Sequence, residues 1–333
     1  MYPTAASPAA WGRSRRTTST PGGLLVLIGT AGRTLTPHQQ AAVAELAERW
    51  PLLLAGAEPA GRTVVHRQIR PEAMTRQAIM AALATCEFLP PVRAVLTLES
   101  RLCAVGTRLA SELGLPGYGM AAADVVTHPI RTFDRLGNAG LPIAPGEPAE
   151  LVAWCVTAPP HHTVVAAVTR LLPHPGSRAD ELVDVEDPAL ADPAVRELAA
   201  EAMRALGVQS GITRLHLDLS HAITGASPGL GDDLGRTVRL ATGLDLVREA
   251  AWLAYGVRGP RELASTRCTM ARRAWVPAPD RPESRDRLRG MAWVDSVIWH
   301  DGEAEVIVIG GDAEQCARWI DHARHVLVGS KPW

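Results

Sequence analysis

The chain has 333 residues, of which 47% are apolar and 21% charged, and a formal net charge of −1. That balance excludes a whole-chain electrostatic grip on nucleic acid or on an anionic membrane, and no apolar run approaches the length of a membrane span. The five cysteines (Cys86, Cys103, Cys155, Cys268 and Cys316) form no C-x-x-C pair, so neither a disulfide framework nor a zinc knuckle is expected, and a reducing cytoplasm is the simplest setting. Of the 34 cationic residues all are arginine except Lys331, near the C-terminus. Schiff-base chemistry, a pyridoxal anchor and a phosphate-loop lysine each need an ammonium that the planar, permanently charged guanidinium does not replace.

Residues 1–23 are rich in Pro, Gly, Ser and Thr, with three arginines and no acid, and read as a disordered tail or an over-extended start. An organelle-targeting peptide is disfavoured because the stretch has no amphipathic face. From Leu24 strand and helix alternate. LLVLI (24–28) reads as a buried strand, Thr36-Pro37 opens a helix with Gln39 completing a capping box, and TVVH (63–66) is a short strand. A helix over 72–86, the strand AVLTL (94–98) and a helix from Ser100 to Leu113 that stops at Gly114 follow. This alternation predicts a doubly wound parallel α/β domain over 24–120.

Beyond Gly119 the pattern loosens through LPIAPGEP (141–148), then gives the strand TVVAAVTRLL (163–172) and the acidic loop ADELVDVED (179–187). Asp192-Pro193 to Gly207 is a helix with Asp as N-cap, Pro in the first turn and Gly at its end. RLHLDL (214–219) alternates as a half-buried strand, and a glycine-rich loop at 225–235 leads into helices ending at Gly256. Segment 257–290 carries nine arginines against four acids, a basic patch suited to an acidic partner or a carboxylate, or a solvated loop. A strand at 292–299, the strand EVIVI (305–309) and a helix from Asp312 with Gln315 as capping partner close the chain. The expected divisions are 121–290 and a C-terminal α+β element, 291–333.

Two stretches together resemble the carboxylate–amine ligases of the ATP-grasp superfamily, including L-amino-acid ligases and biotin-carboxylase-like enzymes. One is AVLTLESRLCAVGTRLASELGLPGYG (94–119) with RTFDRLGNAGLP (131–142); the other is LAAEAMRALGVQSGITRLHLDL (198–219) with VRLATGLDLVREAAWLAYG (238–256). IVIGGDAEQCARWIDHA (307–323) fits the same order. The resemblance implies an ATP-grasp-like fold, a Rossmann-like N-terminal domain followed by an ATP-grasp domain. It also implies phosphorylation of a carboxylate by Mg²⁺·ATP and attack by an amine, served by lysines, a glycine-rich loop, metal-binding carboxylates and an arginine.

Position by position, those groups are missing. The lysine expected eleven places before the glycine of A-G-L-P is Pro129, beside His128. Eight residues separate Pro142 from LVAWCV (151–156), too few for the second lysine strand and its nucleotide-clamping loop, so this domain is shortened. In G-x-x-H-x-E, here Gly211-Ile212-Thr213-Arg214-Leu215-His216, the acid is His216. The E-x-N-x-R metal motif falls on Thr224, Ala226 and Pro228. Loss of one preorganised charge contact costs about 3 to 4 kcal/mol of transition-state stabilisation, and here several go together.

The expectation is a degenerate ATP-grasp protein without ligase activity, a pseudoenzyme serving as partner or regulatory subunit in amino-acid, peptide or secondary-metabolite biosynthesis. It pairs with another protein or with itself and takes neither ATP nor magnesium, while a small carboxylate or amino acid remains a possible ligand. The alternative is an active or re-specialised ligase that uses ATP and magnesium in the old cleft. For that enzyme Arg214, His216 and Asp218 are the catalytic candidates, read as one face of a strand. Asp232, Asp233 and His221 are candidates for the cofactor, and Glu99, Arg272 and Arg273 for the substrate. A metal site on His216, His221 and Asp232 is a weak pattern, as are the pairs His161-His162 and His322-His325. Gly29-Thr30-Ala31-Gly32 lacks the third glycine and ribose acid of a dinucleotide fingerprint, which ranks a nicotinamide oxidoreductase last. Trp293 and Trp299 flank a strand, as core residues or interface anchors.

Overall fold

A computed structural model describes residues 22–29, 35–56, 65–87, 89–173, 178–231, 233–257, 269–279, 281–300 and 302–328. Residues 1–21 of the tail expected over 1–23, residues 30–32 of the first glycine turn, Asp232, Cys268 and Lys331 lie outside these.

The first sheet is built on β1 (Leu24–Ile28), whose five residues are all buried because helices cover both faces of a parallel sheet. It pairs in parallel with β2 (Leu52–Ala55) on one side and β4 (Val92–Thr97) on the other, and β3 (Arg67–Ile69) completes the order β3-β2-β1-β4. Between β1 and β2 runs α1 (Pro37–Arg49). Its predicted capping box is present: Thr36 Oγ1 accepts from the Gln39 amide at 3.2 Å, and Gln39 Oε1 accepts from the Thr36 amide at 3.0 Å. The short β2 had no signal of its own after the helix; of the strand expected at 63–66, residues 63 and 64 lie outside the described residues, and β3 begins at Arg67. Next come α2 (Arg76–Ala84), a 3₁₀ turn at Ser100–Leu102, α3 (Cys103–Glu112), α4 (Met120–Val126) and α5 (Pro129–Asn138).

The second sheet has eight antiparallel strands. They are β5 (Leu151–Ala158), β6 (His162–Leu172), β7 (Asp180–Asp184), β8 (Gly211–Leu217), β9 (Ile223–Pro228), β10 (Met270–Pro277), β11 (Val294–His300) and β12 (Glu303–Gly310), in the order β11-β12-β10-β7-β6-β5-β8-β9. Helices α6 (Pro188–Ala191) and α7 (Pro193–Leu206) link β7 to β8, and α8 (Arg236–Thr242) and α9 (Leu246–Ala254) follow β9. Helix α10 (Pro282–Arg289) follows β10, and α11 (Ala313–Val328) ends the described chain. Strands β10, β11 and β12 continue the sheet begun by β5, so segments 121–290 and 291–333 share one sheet.

Three local expectations are corrected. The acidic stretch 179–187 is not a loop: β7 pairs with β6 and β10 and buries Asp180, Leu182 and Val183, its acids being neutralised by neighbouring arginines. The glycine-rich segment at 225–235 begins as strand, because β9 extends through Pro228. Of the nine arginines in 257–290, Arg272 and Arg273 belong to β10, an interior strand with Arg273 and Trp275 each 4% exposed, while Arg281, Arg287 and Arg289 are exposed at α10 and Arg258, Arg261 and Arg267 lie outside the described residues. The expected cap of α11 is half present: Asp312 Oδ1 accepts from the Gln315 amide at 2.6 Å, while Gln315 Oε1 accepts from the Gly311 amide at 2.7 Å rather than from that of Asp312.

One apolar cluster joins the sheets, with Leu27, Trp50, Trp154, Val183, Val238 and Trp252 among its members. Trp50 meets Trp252 edge-on at 5.7 Å and stacks on Tyr255 at 6.2 Å. Trp293 stacks on Trp319 of α11 at 4.7 Å and is thus engaged within the chain. Among the described residues no helix is long and apolar enough to cross a membrane. Asp192 caps α7 by accepting from the Ala194 amide at 2.8 Å, and Asp192→Ala is expected to cost about 1 kcal/mol in urea unfolding.

Candidate functional site

Strand β8 lies between β5 and β9, and its register sets the candidate row. Arg214 is opposite Trp154 on one side and Ser227 on the other, and His216 is opposite Val152 and Gly225. The two side chains therefore share a sheet face. His216 Nε2 hydrogen-bonds Ser227 Oγ at 3.0 Å. Burial, and then the Arg214 charge, push the imidazole down to about 4, so His216 is neutral near pH 7. The Arg214 guanidinium stands 5.8 Å from the Trp154 ring centroid, and Gly231 backs onto it so closely that a Cβ there would come within 2.7 Å of Nη1.

Asp218 does not join the row. Strand β8 ends at Leu217, and Asp218 folds the exposed turn by accepting from Ser220 N, Ser220 Oγ and Ala222 N at 2.8, 2.7 and 2.8 Å. Those bonds hold its carboxyl below the ordinary value, the Ser220 hydroxyl first among them. His221, in the left-handed region at φ 65°, faces Asp192 with Nδ1 at 3.7 Å. Its neighbour is thus the N-cap of α7, which corrects the suggested grouping with His216. Asp233 is 3% exposed and folds the entry to α8, accepting from Gly235 N and from Thr237 N and Oγ1. Glu99 pairs with Arg101 on the surface.

The expected substrate arginines point to opposite faces of β10, as adjacent strand residues must. Arg272 donates to Asp180 at 2.8 Å. Arg273 donates through Nε to Glu305 at 3.0 Å and through Nη1 to Glu181 at 3.3 Å. Glu305, 2% exposed, also binds His38 Nε2 at 2.9 Å and His300 Nε2 at 3.1 Å. Burial lifts the Glu181 carboxyl to about 7 against the pull of Arg273 and Arg214, and Asp233 adds to the rise. Sequence reasoning missed Glu181, Glu305, His38 and His300, since four distant segments supply them. The one available signal was a glutamate heading the buried run EVIVI.

Near the edge strand β9 an open cavity of about 300 Å³ is lined by Pro129, Phe133, Glu147, His216, Thr224 and Ala226, among others. Four of these are the positions where the ligase resemblance implies a phosphate lysine, a metal-side acid and two further metal ligands. The fold brings them together although they come from α5, β8 and β9. None of the cavity's lining residues is Lys or Arg, and its titratable groups are neutral His216 and the exposed Glu147. Magnesium takes hard oxygen ligands and a triphosphate needs cations, so this lining fits neither. Among the described residues no three His, Cys, Asp or Glu side chains come together as a metal-binding group. Between α5 and β5 the described chain forms no strand, only an isolated bridge from Ile143 to Ile223.

No protein-family model matches the chain, and no curated protein matches it in sequence. Among solved structures it is similar to the L-amino acid ligase from Bacillus licheniformis, with TM-score 0.72 and 12% identity over 91% of this chain and 97% of that one. Phosphoribosylglycinamide synthetase from Anaerococcus prevotii gives TM-score 0.67 and 9% identity over 91% of this chain and 98% of that one. N5-carboxyaminoimidazole ribonucleotide synthetase from Thermus thermophilus gives 0.66 and 11% over 93% and 99%. These enzymes share the ATP-grasp architecture, and at such identities the likeness establishes the fold: this chain has the ATP-grasp fold.

Proposed function

We propose that this chain is an ATP-grasp-fold protein that does not carry out ATP-dependent ligation and acts as a partner or regulatory subunit of a biosynthetic enzyme. The observation that carries the reading is the composition of the β9 cavity. Pro129, His216, Thr224 and Ala226 line it together, where phosphate and metal chemistry would need a lysine and carboxylates or amides. Arg214, the cation closest along β8, is packed against Trp154 and the backbone of Gly231. The short connection between α5 and β5 supports the same reading, as it carries no nucleotide-clamping strand.

Calorimetric titration of the full chain with Mg²⁺·ATP and with a non-hydrolysable analogue tests it. The expected result is no saturable heat with either, and no phosphate release on adding amino acids. A magnesium-dependent isotherm would instead favour an active carboxylate–amine ligase, in which His216→Ala should abolish turnover. A stable complex recovered on co-purification with a biosynthetic enzyme would identify the partner.

A further inference from the structure

The same cavity raises the question of what it now holds, and its lining is specific enough to answer. A volume of about 300 Å³ matches the lower range of small-molecule pockets. One wall is apolar, with the Phe133 ring and the Pro129 ring on one face of α5 and Ala226 from β9. Arg131, the cation nearest to them in sequence, lies off that face, because residues 129, 132 and 133 are helical neighbours and 131 is not. Two residues from Ala226 on the same face of β9, Thr224 Oγ1 is buried without a hydrogen-bond partner, a group whose desolvation is uncompensated unless something in the cavity meets it. His216 presents a neutral ring tied to Ser227. Glu147 stands exposed among the lining residues and is their only carboxylate.

We propose that this cavity binds a small organic amine as its ammonium ion, with the apolar body against Phe133 and Pro129, the ammonium on Glu147 and a polar atom on the Thr224 hydroxyl. An anion entering the same space meets a carboxylate and no lining cation. A cation gains a charge-assisted hydrogen bond to Glu147, and its apolar body gains the Phe133 and Pro129 surface. The inference rests on the reading that phosphate and metal no longer occupy this place.

The test titrates the full chain with benzylamine, benzyl alcohol and benzoate, followed by protein-detected NMR shifts, with Mg²⁺·ATP as a separate titration. Benzylamine should saturate in the micromolar to millimolar range, with shifts at Thr224 and Gly225. Benzyl alcohol should bind about tenfold more weakly and benzoate not measurably. Glu147→Gln, at an exposed site where folding is not at stake, should weaken benzylamine about tenfold and leave benzyl alcohol unchanged. Thr224→Val should weaken both. Benzoate binding as tightly as benzylamine, an indifferent Glu147→Gln, or no saturation by benzylamine would each overturn the proposal. Absence of Mg²⁺·ATP binding alongside a benzylamine failure would leave the non-catalytic reading standing, whereas binding of Mg²⁺·ATP would remove that reading itself.

Discussion

Glu305→Ala is expected to destabilise the protein by about 3 to 5 kcal/mol, the cost of removing one partner from a buried ion pair. Glu305 accepts from Arg273, His38 and His300, and its own side chain is 2% exposed. Its removal leaves the Arg273 guanidinium inside the sheet with Glu181 as remaining hydrogen-bond partner, and Arg273 Nη2 already has none. Burial raises the Glu305 carboxyl, but the bonds from His300 and His38 and the Arg273 charge outweigh it and hold the group well below the usual carboxylate range. A depressed carboxylate stabilises the fold above its unfolded pKa and loses that contribution as pH falls through its folded one. Urea unfolding at neutral pH measures the loss. Glu305→Gln, which keeps size and one acceptor, should lose less, and a double-mutant cycle with His38→Phe isolates the bond between α1 and β12. A loss under about 1 kcal/mol for Glu305→Ala would show that the group is solvated rather than buried.

The second large effect is an acid limb set by His216. Its imidazole is held at about 4 in the fold against an ordinary value of 6.5. Between those values the unfolded chain binds more protons than the folded one, so stability falls as pH drops from 6.5 toward 4 and is fully retained above 6.5. A shift of that size corresponds to about 3 kcal/mol. Urea midpoints between pH 7.5 and 4.5 should fall for the native chain, and His216→Gln, which cannot take up the proton, should flatten that part of the profile. The imidazole resonance should titrate near 4 by NMR. A midpoint near 6.5 would place His216 in water and remove its neutral role in the cavity.

The contrast between Asp192 and Asp218 shows how far the sequence could be read. Asp192 is followed by Pro193 and a helical stripe closed by Gly207, so capping, periodicity and termination agree, and each is local. Asp218 fits the period-2 alternation of RLHLDL equally well on paper. In the fold the strand ends at Leu217, two residues short of the predicted Leu219, because the Asp218 side chain collects the Ser220 and Ala222 amides and turns the chain back into β9. A short polar side chain competing for nearby backbone donors ends a strand, and periodicity carries no sign of it. The basic segment around Arg272 and Arg273 misled for a related reason. Charge density alone reads as a solvated patch, whereas Asp180, Glu181 and Glu305 neutralise it from strands about 30 to 90 residues away in sequence.

What the sequence by itself determined is the class of chemistry left out and the order of the main elements. A chain whose one lysine is Lys331 has no internal ammonium in any fold. The strand and helix runs, their caps and the resemblance to ATP-grasp ligases follow from local pattern and from matching stretches in the right order. Only the tertiary structure decided which residues share a site. It placed Pro129, His216, Thr224 and Ala226 around one cavity and sent His221 to the N-cap of α7. It also built a buried charge network from His38, Glu181, Arg273, His300 and Glu305. Such partnerships depend on strand order and register across the eight-stranded sheet, which are set by non-local pairing and packing.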